Sequence, residues 1–427
     1  MSRSRILTGL VACVLLSWTG IARADAVTVW NAIAIQTIVT GVPVHPGATA
    51  VLDSAMVQAA VYDAVVAIEG GFKPYAVRIP GAHGSTAAAV AKASHDVLVN
   101  RFPSATTVAS VDAAYHGYLA AHGLAEDDPG VAVGQQAAAG IIARRANDGS
   151  FPAIPPVFTG GTNPGDWRPT PPAFAPMLAP WLAKVTPFTL TSPSQYRPQG
   201  PPPLTSKRYA EDYNEVKSMG ALSGSARTAD QTDLALFWAG NYQIVWNAAL
   251  RDIATAHVHN IADSARLFAL VNLAVADAAI TAWDSKLHFH LWRPLTAIQE
   301  GDNDGNPQTD GDSSWQPLIV NPPYPDYTSG ANNVTDATTR ALALFFGTDE
   351  MRFSVTTTNP AAVQKTRTFD GFSDAAAEVV VARIWDGIHF RFADVEARKQ
   401  GRHVAQWASS HFLRPLDDDQ GEDDDDQ

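Results

Sequence analysis

Cysteine is all but missing from this chain: Cys13 is the only one in 427 residues. It lies in an N-terminal stretch that reads as a secretory signal, so the exported chain is expected to lack disulfides, thiolate metal sites and a cysteine nucleophile. Basic residues are also short, 30 Lys and Arg against 43 Asp and Glu, which argues against a nucleic-acid partner. Much of the net charge of −13 comes from Asp417 to Gln427, which holds eight acidic residues and no basic one. Alternating apolar and polar runs of strand length do not stand out, and neither does an internal repeat. Beyond the signal, the apolar stretches read as too short to span a membrane, so no transmembrane segment is expected in the mature chain.

The signal reading rests on basic Arg3 and Arg5, an apolar run from Ile6 to Ile21, and the small-x-small site Ala22-Arg23-Ala24. Residues 1–24 are therefore assigned to a signal peptide, 25–416 to one helical domain and 417–427 to an acidic disordered tail. The expected destination is outside the cytoplasm, in the periplasm. With 46% hydrophobic and 17% charged residues, the chain belongs to the folded globular class.

Helical periodicity covers Ala48 to Glu69, Ser85 to Asn100, Ser104 to His122 and Glu126 to Asn147. Residues 151–203, dense in Pro, Gly and Thr, read as a long irregular segment. Helices resume at Ser206 to Met219 and at Leu234 to Ile253 behind a cap at Ser225 to Thr228. Asn260 to Leu295 reads as nearly continuous. After a turn-rich loop, Gly301 to Tyr327, further helices are expected at Asn332 to Phe346, Ser373 to Asp386 and Asp394 to Phe412. The fold class is all-α, a helical bundle with a Pro/Gly-rich irregular insertion. Asp302, Asp304 and Gly305 suggest an EF-hand, but Gly311 stands where that loop needs a bidentate Glu, so an ordinary turn is favoured.

Three C-terminal segments supply groups suited to a tetrahedral oxyanion. On a continuous helix Lys286, His290 and Arg293 share one face at i, i+4, i+7, while His288 points elsewhere and reads as a core residue. Ser329-Gly330 stands at a helix start, where backbone N–H groups and the helix dipole attract anions. Arg383 and His389 can meet one ligand only if the chain turns at Gly387. Each segment alone has a plainer reading: a Lys and an Arg snorkelling at a helix end, an N-cap Ser, a structural His.

Together they resemble the signature of the vanadium-dependent haloperoxidase and type 2 phosphatidic acid phosphatase superfamily, in its secreted bacterial branch. That signature runs K-x6-R-P, then P-S-G-H, then S-R-x3-G-x-H-x3-D. Lys286, Arg293, Pro294, Ser329, Gly330, Arg383, Gly387 and His389 match it in type, order and interval. Flanking text such as Asp166-Trp167-Arg168-Pro169 and Ile384-Trp385-Asp386-Gly387-Ile388-His389-Phe390 extends the resemblance over the mature chain. It implies a helical fold holding vanadate, or phosphate in the same pocket, and neither haem nor nucleotide. His389 is then the axial partner of vanadium, with Lys286, Arg293, Ser329, Gly330 and Arg383 binding the oxyanion. The implied chemistry is oxidation of halide or organic sulfide with peroxide, or phosphatase action through a phospho-His389.

Departures from the signature concern protons. Ala331 occupies the place of the superfamily's acid/base His, Ala382 that of its Ser, and Ala393 that of its Asp, with Asp394 one residue late. Losing a positioned general acid costs about 10²–10⁴ in rate. His290, one turn from Lys286, is the expected substitute, which makes Lys286, His290 and His389 the expected catalytic set. The alternatives are a phosphatase, or an oxyanion-binding or scaffold protein with impaired catalysis.

Overall fold

A computed structural model describes residues 24–416; nearly all of the expected signal peptide and the whole acidic C-terminal run lie outside the described residues. Thirteen α-helices, two short 3-10 helices and one small hairpin make up the regular structure there. The first group is α1 (Ala26–Thr40), α2 (Ala50–Glu69), α3 (Thr86–Arg101), α4 (Ala105–His122) and α5 (Pro129–Arg145). Their starts obey capping chemistry: Ser85 and Ser104 accept the N–H groups of Ala88 and Thr107, and Asp128 caps α5 with Pro129 in its first turn. Helix α1 carries little periodicity and was not expected from the pattern; Trp30, Ala34 and Ile38 bury it against its neighbours.

The second group is α6 (Lys207–Met219), α7 (Ala229–Trp238), α8 (Tyr242–His257), α9 (Ile261–Phe289), α10 (Pro294–Gln299), α11 (Gly330–Phe346), α12 (Phe372–Trp385) and α13 (Arg391–His411). Helix α9 has 29 residues, and at 1.5 Å per residue it runs roughly 43 Å through the molecule. It packs on α2 at one side and on α11 and α13 at the other, which makes it the axle joining the two bundles.

Helices α2 and α9 are each long and apolar enough to span a membrane, contrary to the sequence expectation. The most apolar stretch of each is 89% buried within the protein. Buried carboxylates interrupt their apolar faces for a structural reason. Asp277 on α9 accepts the N–H groups of Phe188, Thr189 and Leu190, and Asp63 on α2 accepts those of Tyr75, Ala76 and Val77. Segment 151–203 is irregular as expected and is tied down by such bonds, including Arg197 to Asp284 and the indole of Trp283 to the carbonyl of Leu178.

Three local expectations fail. The run from Leu234 to Ile253 is broken at Gly240, where Thr357 and Thr358 crowd the backbone and the Thr358 hydroxyl receives the Asn241 N–H at 3.1 Å. Those threonines adjoin a hairpin, β1 (Glu350–Thr356) paired antiparallel with β2 (Thr366–Gly371), which buries Phe353, Val355 and Phe369 and leaves their neighbours in water. The run from Asn260 to Leu295 also breaks, because His290 takes a left-handed conformation (φ 34°) and Leu291 bridges to Asp166. Pro294 therefore opens a separate helix, α10. His288 is exposed, not in the core. The Asp302 loop is an ordinary turn, with Asp302 accepting the Gly311 N–H at 2.9 Å.

Candidate active site

Loop 320–329 threads between the ends of α9, α10, α12 and α13, along the seam of two apolar clusters. One cluster contains Trp283 on the bundle axle; the other contains Tyr327, Phe390 and Trp292. Lys286 is fully buried in the last turn of α9, and its ammonium donates to the carbonyls of Pro325 (2.7 Å) and Asp326 (3.1 Å). Arg293 is the N-cap residue of α10, equally buried. Its Nε donates to the Tyr324 carbonyl at 2.8 Å and its Nη1 to the Ile388 carbonyl at 2.7 Å. The ring of Tyr324 faces both cations, 5.0 Å from Lys286 Nζ and 4.8 Å from the Arg293 guanidinium, at cation–π distance.

Arg383 lies in the last turn of α12 and pairs with Asp386 at 2.7 Å. The turn needed to bring His389 to it occurs at Gly387, with φ +80°, where a Cβ would collide with the Gly220 carbonyl at 2.5 Å. His389 is buried, its Nδ1 2.7 Å from Asp326 Oδ1 and its Nε2 3.2 Å from Arg293 Nη1. A guanidinium can only donate, so Nε2 keeps its lone pair and the ring proton sits on Nδ1, facing Asp326. Burial first, then Arg293, Lys286 and Arg383, hold the imidazole far below its ordinary pKa, so it stays neutral. Lys286 is likewise pushed well down by burial and by Arg293. Burial raises Asp326 and Asp386 to about 7 despite nearby guanidinium groups. Cations held this close together need an anion.

The donor set fits a tetrahedral oxyanion. Arg293 Nη2 and Arg383 Nε are buried without a partner among the described residues, and such orphans are costly unless a ligand completes them. A cavity of about 420 Å³ reaches the site and is lined by Arg383, Gly330, Ala331, Tyr324, Trp283 and Tyr242, among others. Gly330 opens α11 there, and a Cβ would meet the Trp283 ring at 3.3 Å. Ser329 occupies the N-cap position of α11, yet its hydroxyl makes no capping bond. That oxygen instead accepts from Asn332 Nδ2 at 3.3 Å, and the same amide nitrogen donates to Asp394 Oδ1 at 2.7 Å.

Six of the seven sequence-chosen residues, Lys286, Arg293, Ser329, Gly330, Arg383 and His389, are thus brought to one place. His290 is the exception and requires correction. It caps the C-terminal end of α9 with its side chain 44% exposed, unlike the buried cage residues, and its Nδ1 lies 3.5 Å from Asp166 Oδ1. The helix ends one residue too early for an i, i+4 relation to hold. Sequence reasoning missed Asp326 as the partner of His389, and Tyr324 as the aromatic face over the cations. Their signal was adjacency: both lie in the six residues preceding Ser329.

Residues 266–418 match the model of the VCPO second helical-bundle domain. The second bundle is thus similar to that domain, and the chain as a whole has the helical fold of solved vanadium-dependent haloperoxidases. A curated relative, the vanadium chloroperoxidase of Curvularia inaequalis, is 33% identical over 187 residues, which are 36% of this chain and 30% of that protein. The matched region thus spans under a third of that relative's length. Among solved structures, a bacterial vanadium-dependent iodoperoxidase superposes with a TM-score of 0.73 at 24% identity, covering 92% of this chain and 96% of that one. An apo-type bacterial vanadium-dependent chloroperoxidase gives 0.70 at 18% identity, covering 85% and 92%.

Proposed function

We propose that this chain is an exported haloperoxidase-like enzyme that binds vanadate, acts in the periplasm, and oxidises halide or organic sulfide with peroxide. The observation that carries the proposal is the pair of unpartnered guanidinium nitrogens, Arg293 Nη2 and Arg383 Nε, buried beside a neutral imidazole. His389 Nε2 would hold the vanadium, with Asp326 fixing the ring through Nδ1. Lys286, Arg293 and Arg383 would neutralise the oxyanion, while Ser329 and the Gly330 N–H close its remaining side. Vanadate, when bound, supplies the Lewis acid that activates peroxide. The chain's part is to hold it without water between, and to move protons without the imidazole that Ala331 replaces.

A second reading is supported by the same neutral, oriented His389: attack on a phosphate monoester to give a phosphohistidine. Vanadate-dependent bromination of monochlorodimedone supports the first reading, and vanadate-inhibited release of nitrophenol from its phosphate supports the second. If neither activity occurs while vanadate raises thermal stability through His389, the chain is an oxyanion-binding protein that has lost its chemistry.

A further inference from the structure

The chain carries a buried carboxyl that nothing in the oxyanion cage uses for charge. Asp394, in the first turn of α13, is fully buried and forms no ion pair among the described residues. Its Oδ1 accepts from Asn332 Nδ2 at 2.7 Å, and its Oδ2 has no partner. The same Asn332 amide also donates to Ser329 Oγ, so one NH₂ group holds the serine oxygen and the carboxyl side by side. An ionised carboxylate sealed from water with no cation in direct contact costs more than a neutral acid, and burial outweighs the more distant cations, so the group keeps its proton. A neutral acid has an O–H to give, and Ser329, released from helix capping, is next to it.

We infer that Asp394 and Ser329 form a proton relay into the oxyanion site, replacing the imidazole absent at position 331. The inference rests on the oxyanion-site reading above. In the relay Ser329 gives its hydroxyl proton to an oxygen of the bound anion and takes the proton of Asp394, which is left as a carboxylate. With a phosphate monoester the balance is complete. The bond from His389 Nε2 to phosphorus forms, the phosphorus–oxygen bond to the alcohol breaks, and the departing oxygen receives the proton. Water then hydrolyses the phosphohistidine and returns a proton along the same path, freeing phosphate and His389.

The electrostatic surroundings suit this task. Burial, first of all, lifts Asp394 well above the ordinary carboxyl range, and Asp326 adds to the rise, while Ser329, Arg383 and Asn332 oppose it. Lys286 and Arg293 also act on it from α9 and α10, so an emptied carboxylate meets three cations while it awaits reprotonation. The one-residue delay of Asp394 relative to the signature thereby acquires a use. The carboxyl serves Ser329, and the orientation of His389 passes to Asp326.

The test compares wild type with D394N and S329A. In the infrared difference spectrum of wild type minus D394N at pH 8, the carbonyl band of an un-ionised carboxylic acid is expected; its absence overturns the inference. Adding vanadate is expected to shift that band in wild type and not in S329A, and an equal shift in S329A overturns the path through the serine. D394N should bind vanadate within about threefold of wild type. Its turnover, in whichever of the two assays wild type is active, should fall about 10²-fold. The double variant should be no slower than S329A alone. Wild-type turnover in D394N would overturn the relay. An inactive wild type would count against the proposed enzyme activity only, and the infrared arms would still decide the relay.

Discussion

Two sides of one site differ in how far they keep the superfamily pattern. On the anion side, Lys286, Arg293, Arg383 and His389 are all buried and bonded to backbone carbonyls or carboxyls, and the three basic groups lie close enough to act on His389. On the proton side, Ala331 leaves open space against a 420 Å³ cavity, and an Asn332–Asp394–Ser329 cluster lies beside it. Holding an oxyanion and delivering protons to it are therefore separable here, carried by different residues on different elements.

The largest expected effect is on the anion side. At vanadate concentrations 100-fold above Kd, wild type gains about 2.7 kcal/mol of stability, and His389→Ala should lose essentially all of it in thermal melts. Arg293→Met strands the carbonyls of Tyr324 and Ile388 and removes the cation near Asp326. It should lower unfolding stability in urea by about 3–5 kcal/mol even without ligand. Asp326→Asn frees His389 from its carboxyl partner and should weaken vanadate binding about 10–100-fold, measured by calorimetric titration.

The proton side should respond less. Ala331→His fits the open cavity, and because Asp394 already supplies a proton, turnover should change by less than about tenfold. A gain of 10²-fold or more would mean that the site lacks a proton donor altogether. The smallest effect is on stability against pH. Burial raises the folded-state pKa of Asp326 and Asp386 from 3.8 to about 7, so the folded protein binds more protons than the unfolded chain between those values. Their stabilising contribution is full below about pH 4 and is lost as pH rises through 7. The ligand-free protein's melting temperature should fall over that window, and Asp386→Asn should flatten the decline.

Much of this was legible in the chain. Helix α2 announced itself by periodicity, α7 by the Thr228 cap, and the oxyanion residues by type, order and interval. Illegible parts depended on distant contacts. Nothing local to Gly240 says that Thr357 and Thr358 will crowd it, and the alternation of Phe353 and Val355 is too short to stand out beside helical text. The error over His290 has the same origin: a left-handed residue and a bridge from Leu291 to Asp166, 125 positions earlier, end α9 within a run that reads as continuous. Asp394 was seen as one residue out of register, and only the packing of α13 on α11 reveals what it faces.

The most direct measurement is a crystal structure of the protein soaked in vanadate. Density for a single oxyanion bonded to His389 Nε2, with Arg293 Nη2 and Arg383 Nε within hydrogen-bonding distance of its oxygens, is the predicted result. Vanadate bound elsewhere, or a cage that remains empty at saturating concentration with His389 still bonded to Arg293, would contradict it.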